Sequence, residues 1–535
     1  MSLRLRRGGG VIVPPPPGSA FGPTLGDDYV RQHAGTATNP TQPSGIPIGP
    51  GGLTQAAINA AGNGATLSMT GITRTTGAQL NLLPGQTLIG PTDHSAILSG
   101  AIVVTPVSDS GIWSITGQGI ATIGDDPWAN GNREIDGIIP PSNINLKKDG
   151  VYYDGFPLWQ VPSTALLSQP TPYNWPAFYW DYGANKIWLN TNPTGKVVEV
   201  CKNGNTAISA NNATLKNIVV TKFGNRATTP MVEIGSNGTA ENCWFLGSAG
   251  TVVGQQGGLA TDGSTLRGCK IYYGGEAGIG GGHFPAFGAG PVLVDGNEVA
   301  YCNISGFNWP FEGGGSKWNR TGGLIVRNNW VHDNYGMGFW TDGFNYDVLV
   351  EDNVFEDNYG SGFEAELGYN HIIRRNSFYR NGYHHPLPDA WTGGPHPADC
   401  MNVQIYQNNV VDNASGICSP ETNRDSTAGV PPAAAGSITE CQNLDVHDNF
   451  IQHPNSHPSD TQGYGMGIAA GILISSTTVS PSSLFYTSFN NRWYNNTYRL
   501  GNLNGGTHFR WQAGRITWAQ WRAAGQDGGS TAEQI

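Results

Sequence analysis

Three carboxylates stand at a spacing that suits acid–base chemistry: Asp342, Glu364 and Glu366, with Trp340 two residues before the first. They fall in two short segments, Phe339-Trp-Thr-Asp342 and Phe363-Glu-Ala-Glu366. If Phe339 and Phe363 face a core, the period of two along a strand sends Trp340 and Glu364 outward, one above the other. Asp342 and Glu366 follow one step on. Like charges on adjacent strands repel, and no fold demands them. Cleavage of a glycosidic bond does demand such carboxyls, one as acid and one as base or nucleophile. Trp340 would offer a flat face to a sugar ring. Glu364 and Glu366, two apart on one strand, lie roughly 6.5–7 Å apart at the backbone, a separation that leans towards inversion.

Walls for a binding groove come from two long insertions. The first, residues 382–400, carries His384, His385, Asp389, Trp391, His396 and Asp399; the second, 419–441, carries Glu421. His384, His385, Trp391 and Glu421 are taken with Trp340 as substrate-binding residues, since long loops on a rigid scaffold carry binding groups. The set His384, His385, His396 and Asp399 lacks a recognised metal spacing, so neither a metal nor a cofactor is expected. Gly280–Gly282 and Gly313–Gly315 read as turns and not as phosphate cradles. Eliminative cleavage is the rival chemistry and needs basic residues near a uronate. No lysine follows Lys317, and Arg327, Arg374, Arg375 and Arg380 fall at corner positions away from Asp342 and Glu366. Hydrolysis is therefore preferred to elimination.

The elements that must hold these residues show up as a repeat. Val294, Val326, Val350, Ile373, Ile405 and Val446 are each followed three residues later by an asparagine: Asn297, Asn329, Asn353, Asn376, Asn408 and Asn449. A second asparagine follows five later at Asn334, Asn358, Asn381 and Asn413. A period in the twenties with strand-like returns is the mark of a solenoid, whose coils share one core. Stacked corner asparagines can hydrogen-bond from coil to coil. A large apolar residue stands ten after the first corner in five coils: Val252, Ile279, Phe307, Phe339 and Phe363, counted from Asn242, Cys269, Asn297, Asn329 and Asn353. That count sets the register used above.

On these V-x-x-N-x₄-N coils, from about 213 to 496, the chain resembles the pectate-lyase-like right-handed parallel β-helix superfamily. The resemblance also rests on a helix-like start, Thr54 to Ala61, with Thr54 as its cap. It implies an all-β solenoid, and it is shared by polysaccharide lyases, glycoside hydrolases and bacteriophage tailspikes. Residues 101–201 depart from the repeat and read as an inserted antiparallel β module, similar to β-sandwich insertions of some bacterial β-helix glycosidases. Its aromatics are expected to pack a core.

The chain then divides into a Pro/Gly-rich arm over 1–52, a capping helix and first coils over 53–100, the module over 101–201, the main helix over 202–510, and a cap and tail over 511–535. With 77 glycines among 535 residues and only 13% charged residues, tight turns dominate. The formal charge of −11 and the absence of a basic stripe argue against nucleic acid. No run is apolar enough for membrane insertion. Met1–Arg7 is basic, but Pro14–Pro17 follow at once, so no secretory signal is read. The expected protein is a glycan-binding and glycan-cleaving phage tailspike or tail-fibre component, docked to other virion proteins through residues 1–52. A non-catalytic adhesin and a secreted bacterial glycosidase or lyase are the alternatives. Seven cysteines without metal spacing read mostly as small buried residues, with one disulfide possible among Cys400, Cys418 and Cys441.

Overall fold

The computed structural model describes residues 42–116, 150–169, 176–181, 183–225, 229–255, 263–282, 288–307, 309, 312–383, 392–422, 440–454, 467–474, 480–512 and 514–535. The strands build three long parallel sheets, two of thirteen strands and one of nine. Each coil contributes one strand to each sheet: Leu349–Glu351, Val354–Glu356 and Phe363–Glu366, for example, then Ile372–Arg374 at the return. The result is a parallel β-helix with its core inside the coils, where Val326, Val350, Ile373, Ile405 and Val446 stack in one row.

The corners explain why the sequence coils rather than extends. The residue before each ladder asparagine adopts the left-handed conformation, as at Asn328, Asp352, Arg375 and Gln407 (φ 55° to 57°), which turns the chain. The next residue is the buried asparagine. Asn329 donates from its backbone N and its Nδ2 to Asn353 Oδ1 (both 2.9 Å), and Asn353 does the same to Asn376 (3.0 and 2.9 Å). The ladder runs on through Asn408 and Asn449 to Asn496. A second ladder joins Asn334, Asn358, Asn381 and Asn413. Corner polar groups that the strands cannot satisfy are met inside the core.

Cysteines hold equivalent places. Cys243 N donates to Cys269 Sγ and Cys269 N to Asn297 Oδ1 in the first ladder, and Cys302 N to Asn334 Oδ1 in the second. All seven cysteines are buried thiols with no disulfide between them, so the one considered among Cys400, Cys418 and Cys441 is not formed.

The coils extend beyond the expected bounds at both ends. Ile46–Ile48, inside the stretch read as an arm, pairs with Leu67–Met69, and Leu53 lies in the core. The helix Gln55–Ala61 is capped by Thr54, whose Oγ1 accepts from Ala57 N, and it buries Ile58. The polar C-terminus is a strand, Thr531–Gln534, paired with Thr497–Leu500. Helix Trp518–Ala523 seats Trp521 among Trp493, Phe509 and Trp511.

Residues 101–201 contribute two small, mainly antiparallel sheets with a core of their own around Phe178, Trp180 and Ile187. Of the described aromatics, Tyr152, Tyr153, Phe156, Trp159, Phe178 and Trp180 are buried. Phe156 and Trp159 also dock against Tyr272, Tyr273 and Tyr335 of the coils. Among the described residues no helix is long and apolar enough to cross a membrane.

Two core histidines set an acid limit. Burial lowers His371 to about 4, and burial together with the neighbouring His508 lowers His453 to about 3, against an ordinary value of 6.5. Both are held neutral in the fold, so their contribution is complete above pH ~6.5 and is lost as pH falls towards the folded values. Wild type should lose on the order of 3 kcal/mol between pH ~6.5 and ~4 relative to His371→Gln, read from denaturant midpoints. An unchanged difference across that range would reject the assignment.

Candidate functional site

The nine-stranded sheet carries the candidate residues. Phe339 pairs with Phe363, Trp340 with Glu364 and Thr341 with Ala365; Phe339, Phe363, Thr341 and Ala365 are buried inward. Trp340 and Glu364 therefore project from the outer face, and the ladder carries Asp342 beside Glu366 one step on. That much agrees with the register read from the sequence. The outward column continues in both directions, as Gly280, Lys317, Trp340, Glu364 and His396.

Lys317 was missed, and it sits in the middle of the site. Its Nζ lies 3.1 Å from Asp342 Oδ2 and 3.9 Å from the centre of the Trp340 ring. The expectation that cations stay away from the carboxylates is thus corrected, although the four arginines do stay away. Arg327 pairs with Asp295, Arg374 and Arg375 with Glu351, and Arg380 with Asp357, all along the corners. Lys317 was hidden by the count from Asn297. An insertion in that coil leaves Phe307 outside any strand, and Ser316 takes the core place between Ile279 and the next coil. The count also slips at Val252: Val253 pairs with Ile279, because Cys243 and not Asn242 holds the ladder place.

His396 stands in register with Glu364, its Nδ1 3.6 Å from Glu364 Oε2 and 3.0 Å from Ser361 Oγ. It belongs to the sheet strand Pro395–Ala398, not to a loop wall. Asp399 is fully buried and accepts from Thr422 N (2.6 Å). Glu421 is corrected as a substrate ligand. It is 1% exposed, accepts from Cys441 N (2.8 Å), and is pushed up to about 9 by burial and by the Asp399 carboxyl. His384, His385, Asp389 and Trp391 lie outside the described residues. Among the described residues no group of three or more His, Cys, Asp or Glu is arranged to hold a metal ion.

Trp340 is also corrected as a sugar platform. Only 3% of it is exposed, because Trp309, Met337 and Tyr359 roof it and Lys317 lies over its ring. Truncation to Ala should then cost about 3–5 kcal/mol of stability, as for other buried aromatics. Trp340→Phe should keep most of that. A denaturation midpoint unchanged in Trp340→Ala would return the side chain to the surface.

On the earlier coils the same face opens into a groove of about 220 Å³. Gly254, Gly280, Gly281 and Gly282 form its floor, and Gln255, Glu276, Glu312, Lys317 and Asn319 line it. The glycines 280–282, read as a turn, are instead the end of strand Ala277–Gly282. Gly314 and Gly315 likewise begin the strand Gly314–Asn319.

A long stack of parallel coils bearing an acidic outer face defines the class: this is a right-handed parallel β-helix protein. Residues 186–394 match the family model described as a right handed beta helix region. A solved structure described as the complex structure of XylC with xylose aligns over 91% of this chain and 86% of that one, at 11% identity and a TM-score of 0.58. A glycoside hydrolase aligns over 68% and 94%, at 10% identity and a TM-score of 0.43. The A-module of the Azotobacter vinelandii mannuronan C-5 epimerase AlgE4 aligns over 90% and 92%, at 10% identity and a TM-score of 0.38. At these identities the likeness is one of fold. No curated protein matches the chain by sequence.

Proposed function

We propose that this protein binds a glycan on the outer face of its nine-stranded sheet and hydrolyses a glycosidic bond there, using Asp342, Glu364 and Glu366. The carrying observation is the placement of three carboxylates on outward positions of two neighbouring strands, Glu364 and Glu366 largely covered and Asp342 held by Lys317, which lines the open groove. Like charges so placed cost stability, and the coils would stack as well without them. Asp342, paired with the Lys317 ammonium, is suited to act as the carboxylate that takes a proton from water. That water oxygen bonds to the anomeric carbon as the carbon–oxygen bond to the leaving sugar breaks. Glu366, across the ladder from Asp342, gives its proton to the leaving oxygen. Glu364, held beside His396, borders the reacting bond.

Lys317 favours one second reading, elimination from a uronate, in which a base removes the proton next to the carboxyl carbon. One assay separates the two. Incubate the protein with bacterial surface, plant and microbial glycans, then follow reducing ends and the absorbance of unsaturated products. Reducing ends without that absorbance support hydrolysis, and both together support elimination. Binding without product from any glycan would leave an adhesin. For its location we keep the virion surface as the proposal, with residues 1–52 as the anchor. Deleting residues 1–41 should then abolish incorporation into particles, whereas a protein recovered only from the medium would count against it.

A further inference from the structure

The floor of the groove is unusual for a strand. Glycine on an outward strand position costs backbone entropy and packs nothing, so its presence calls for a reason. At Gly280 the backbone conformation supplies none, since its φ lies outside the left-handed region, and an added Cβ would meet only the Thr251 side chain, at 3.1 Å. What Gly280 leaves is space, directly before Lys317 in the outward column.

Apart from Lys317, the charged groups of the lining are acidic. Gln255 is fully buried and pairs with Gly281 on the inward side of the strand, where its Nε2 donates to Leu293 O (3.1 Å). Glu276 and Glu312 line the groove, and Asp342 meets it through Lys317. Lys317 is the one cation among the described lining residues, and it is already on Asp342. A uronate or sulfated sugar would bring its charge against carboxylates in a partly desolvated cleft, where repulsion is strong. A neutral sugar would bring hydroxyl donors to the Glu276 and Glu312 carboxylates with no charge to repel. The volume, about 220 Å³, is below the roughly 300 Å³ at which sites for drug-sized ligands begin, and so suits a single ring.

We infer that the glycine-floored groove is the subsite for one uncharged sugar unit of the glycan, on the side of the carboxylates that faces the earlier coils. This rests on the glycan-cleaving reading and narrows its substrate class. It also turns against the elimination alternative, which requires a uronate beside the same carboxylates.

The test uses the full chain with xylose, glucose, galactose, glucuronate and galacturonate as probes, by calorimetric titration, with Gly280→Leu beside wild type. The expected result is binding of at least one neutral sugar, weakened by about tenfold or more in Gly280→Leu, with no binding of the uronates. A circular dichroism melt of each variant checks folding, and Asp295→Asn, at a corner outside the groove, should bind as wild type. Binding of none of the sugars, uronates bound as tightly as neutral sugars, or Gly280→Leu equal to wild type would each overturn the inference. Failure here is separable from failure of the hydrolytic reading. Neutral sugar lost in Gly280→Leu, with no glycan cleaved, would sink only hydrolysis. Cleavage lost in Asp342→Asn, with sugar binding indifferent to Gly280, would sink only the subsite.

Discussion

Asp342→Asn is expected to lower kcat for glycan hydrolysis by about 10²–10⁴-fold, the range general acid–base groups supply, with little change in KM. Asn keeps the shape and an acceptor for Lys317, whose Nζ is 3.1 Å from Asp342 Oδ2. What it loses is the capacity to take a proton. Glu366→Gln should fall in the same range, and the double variant should be little worse than either single one, since groups acting as a unit are not additive. The control is Asp295→Asn, a corner carboxylate paired with Arg327 and remote from the sheet face. It should keep activity. Release of reducing ends under saturating glycan measures the effect, and a denaturation curve on each variant excludes unfolding as its cause. Full activity in Asp342→Asn would end its role as base, and equal losses in Asp295→Asn would show that charge in general, not this site, was being read. The product anomer, followed by NMR at early times, tells inversion from retention.

Asn376→Leu should produce the largest loss of stability, on the order of 4–6 kcal/mol, through several buried groups orphaned at about 1–3 kcal/mol each. Asn376 Oδ1 accepts from Asn353 N and Nδ2, while its own Nδ2 donates to Val350 O (2.9 Å) and Asn408 Oδ1 (3.1 Å). Leucine matches the volume and offers none of these, in a row of fully buried side chains. Because each coil is stabilised mainly by its neighbours, a fault in mid-ladder should also split the unfolding transition. Asn376→Cys should be milder, since Cys269 already accepts from the Cys243 N–H at a place of the same ladder. Asn402→Gly is the control. Asn402 is exposed with φ 55°, and its side chain bonds to the exposed Asn370 and Asn443. It should change stability by less than about 1 kcal/mol. Equal midpoints for Asn376→Leu and Asn402→Gly, in guanidinium followed by circular dichroism, would refute a structural ladder.

The ladder was legible because it is periodic. Asn297, Asn329, Asn353, Asn376, Asn408 and Asn449 occupy one corner, and only a stacked coil brings residues 23 to 41 apart into contact. Wherever the coil between two ladder places was free of insertions, the strand period also oriented the side chains. That is why Trp340 with Glu364, and Asp342 with Glu366, could be placed on one face from the chain alone. Where a coil carried an insertion, the count broke. Phe307 was put where Ser316 stands, and Lys317, one coil from Trp340, went unseen. Had the Gly314–Asn319 segment been aligned on its own alternation, with Trp318 inward, Lys317 would have fallen into the outward column.

Exposure was a different matter. Alternation tells which way a side chain leaves the backbone, but not what crosses over it. Trp340 points outward and is nonetheless roofed by Trp309, Met337 and Tyr359, which arrive from other parts of the coils. Glu421 ends the strand Ile417–Glu421 at the start of a long insertion and ends up sealed beside Asp399 and Cys441. The glycines 280–282 look like a turn by composition and become a groove floor only when neighbouring strands flank them. The sequence by itself determined the coil, its corner ladders and the shared face of Asp342, Glu364 and Glu366, because each follows from local period and repeat. Lys317 beside Asp342, the covering of Trp340 and the open groove were decided by tertiary structure, because they depend on which side chains of neighbouring coils and their insertions meet in space.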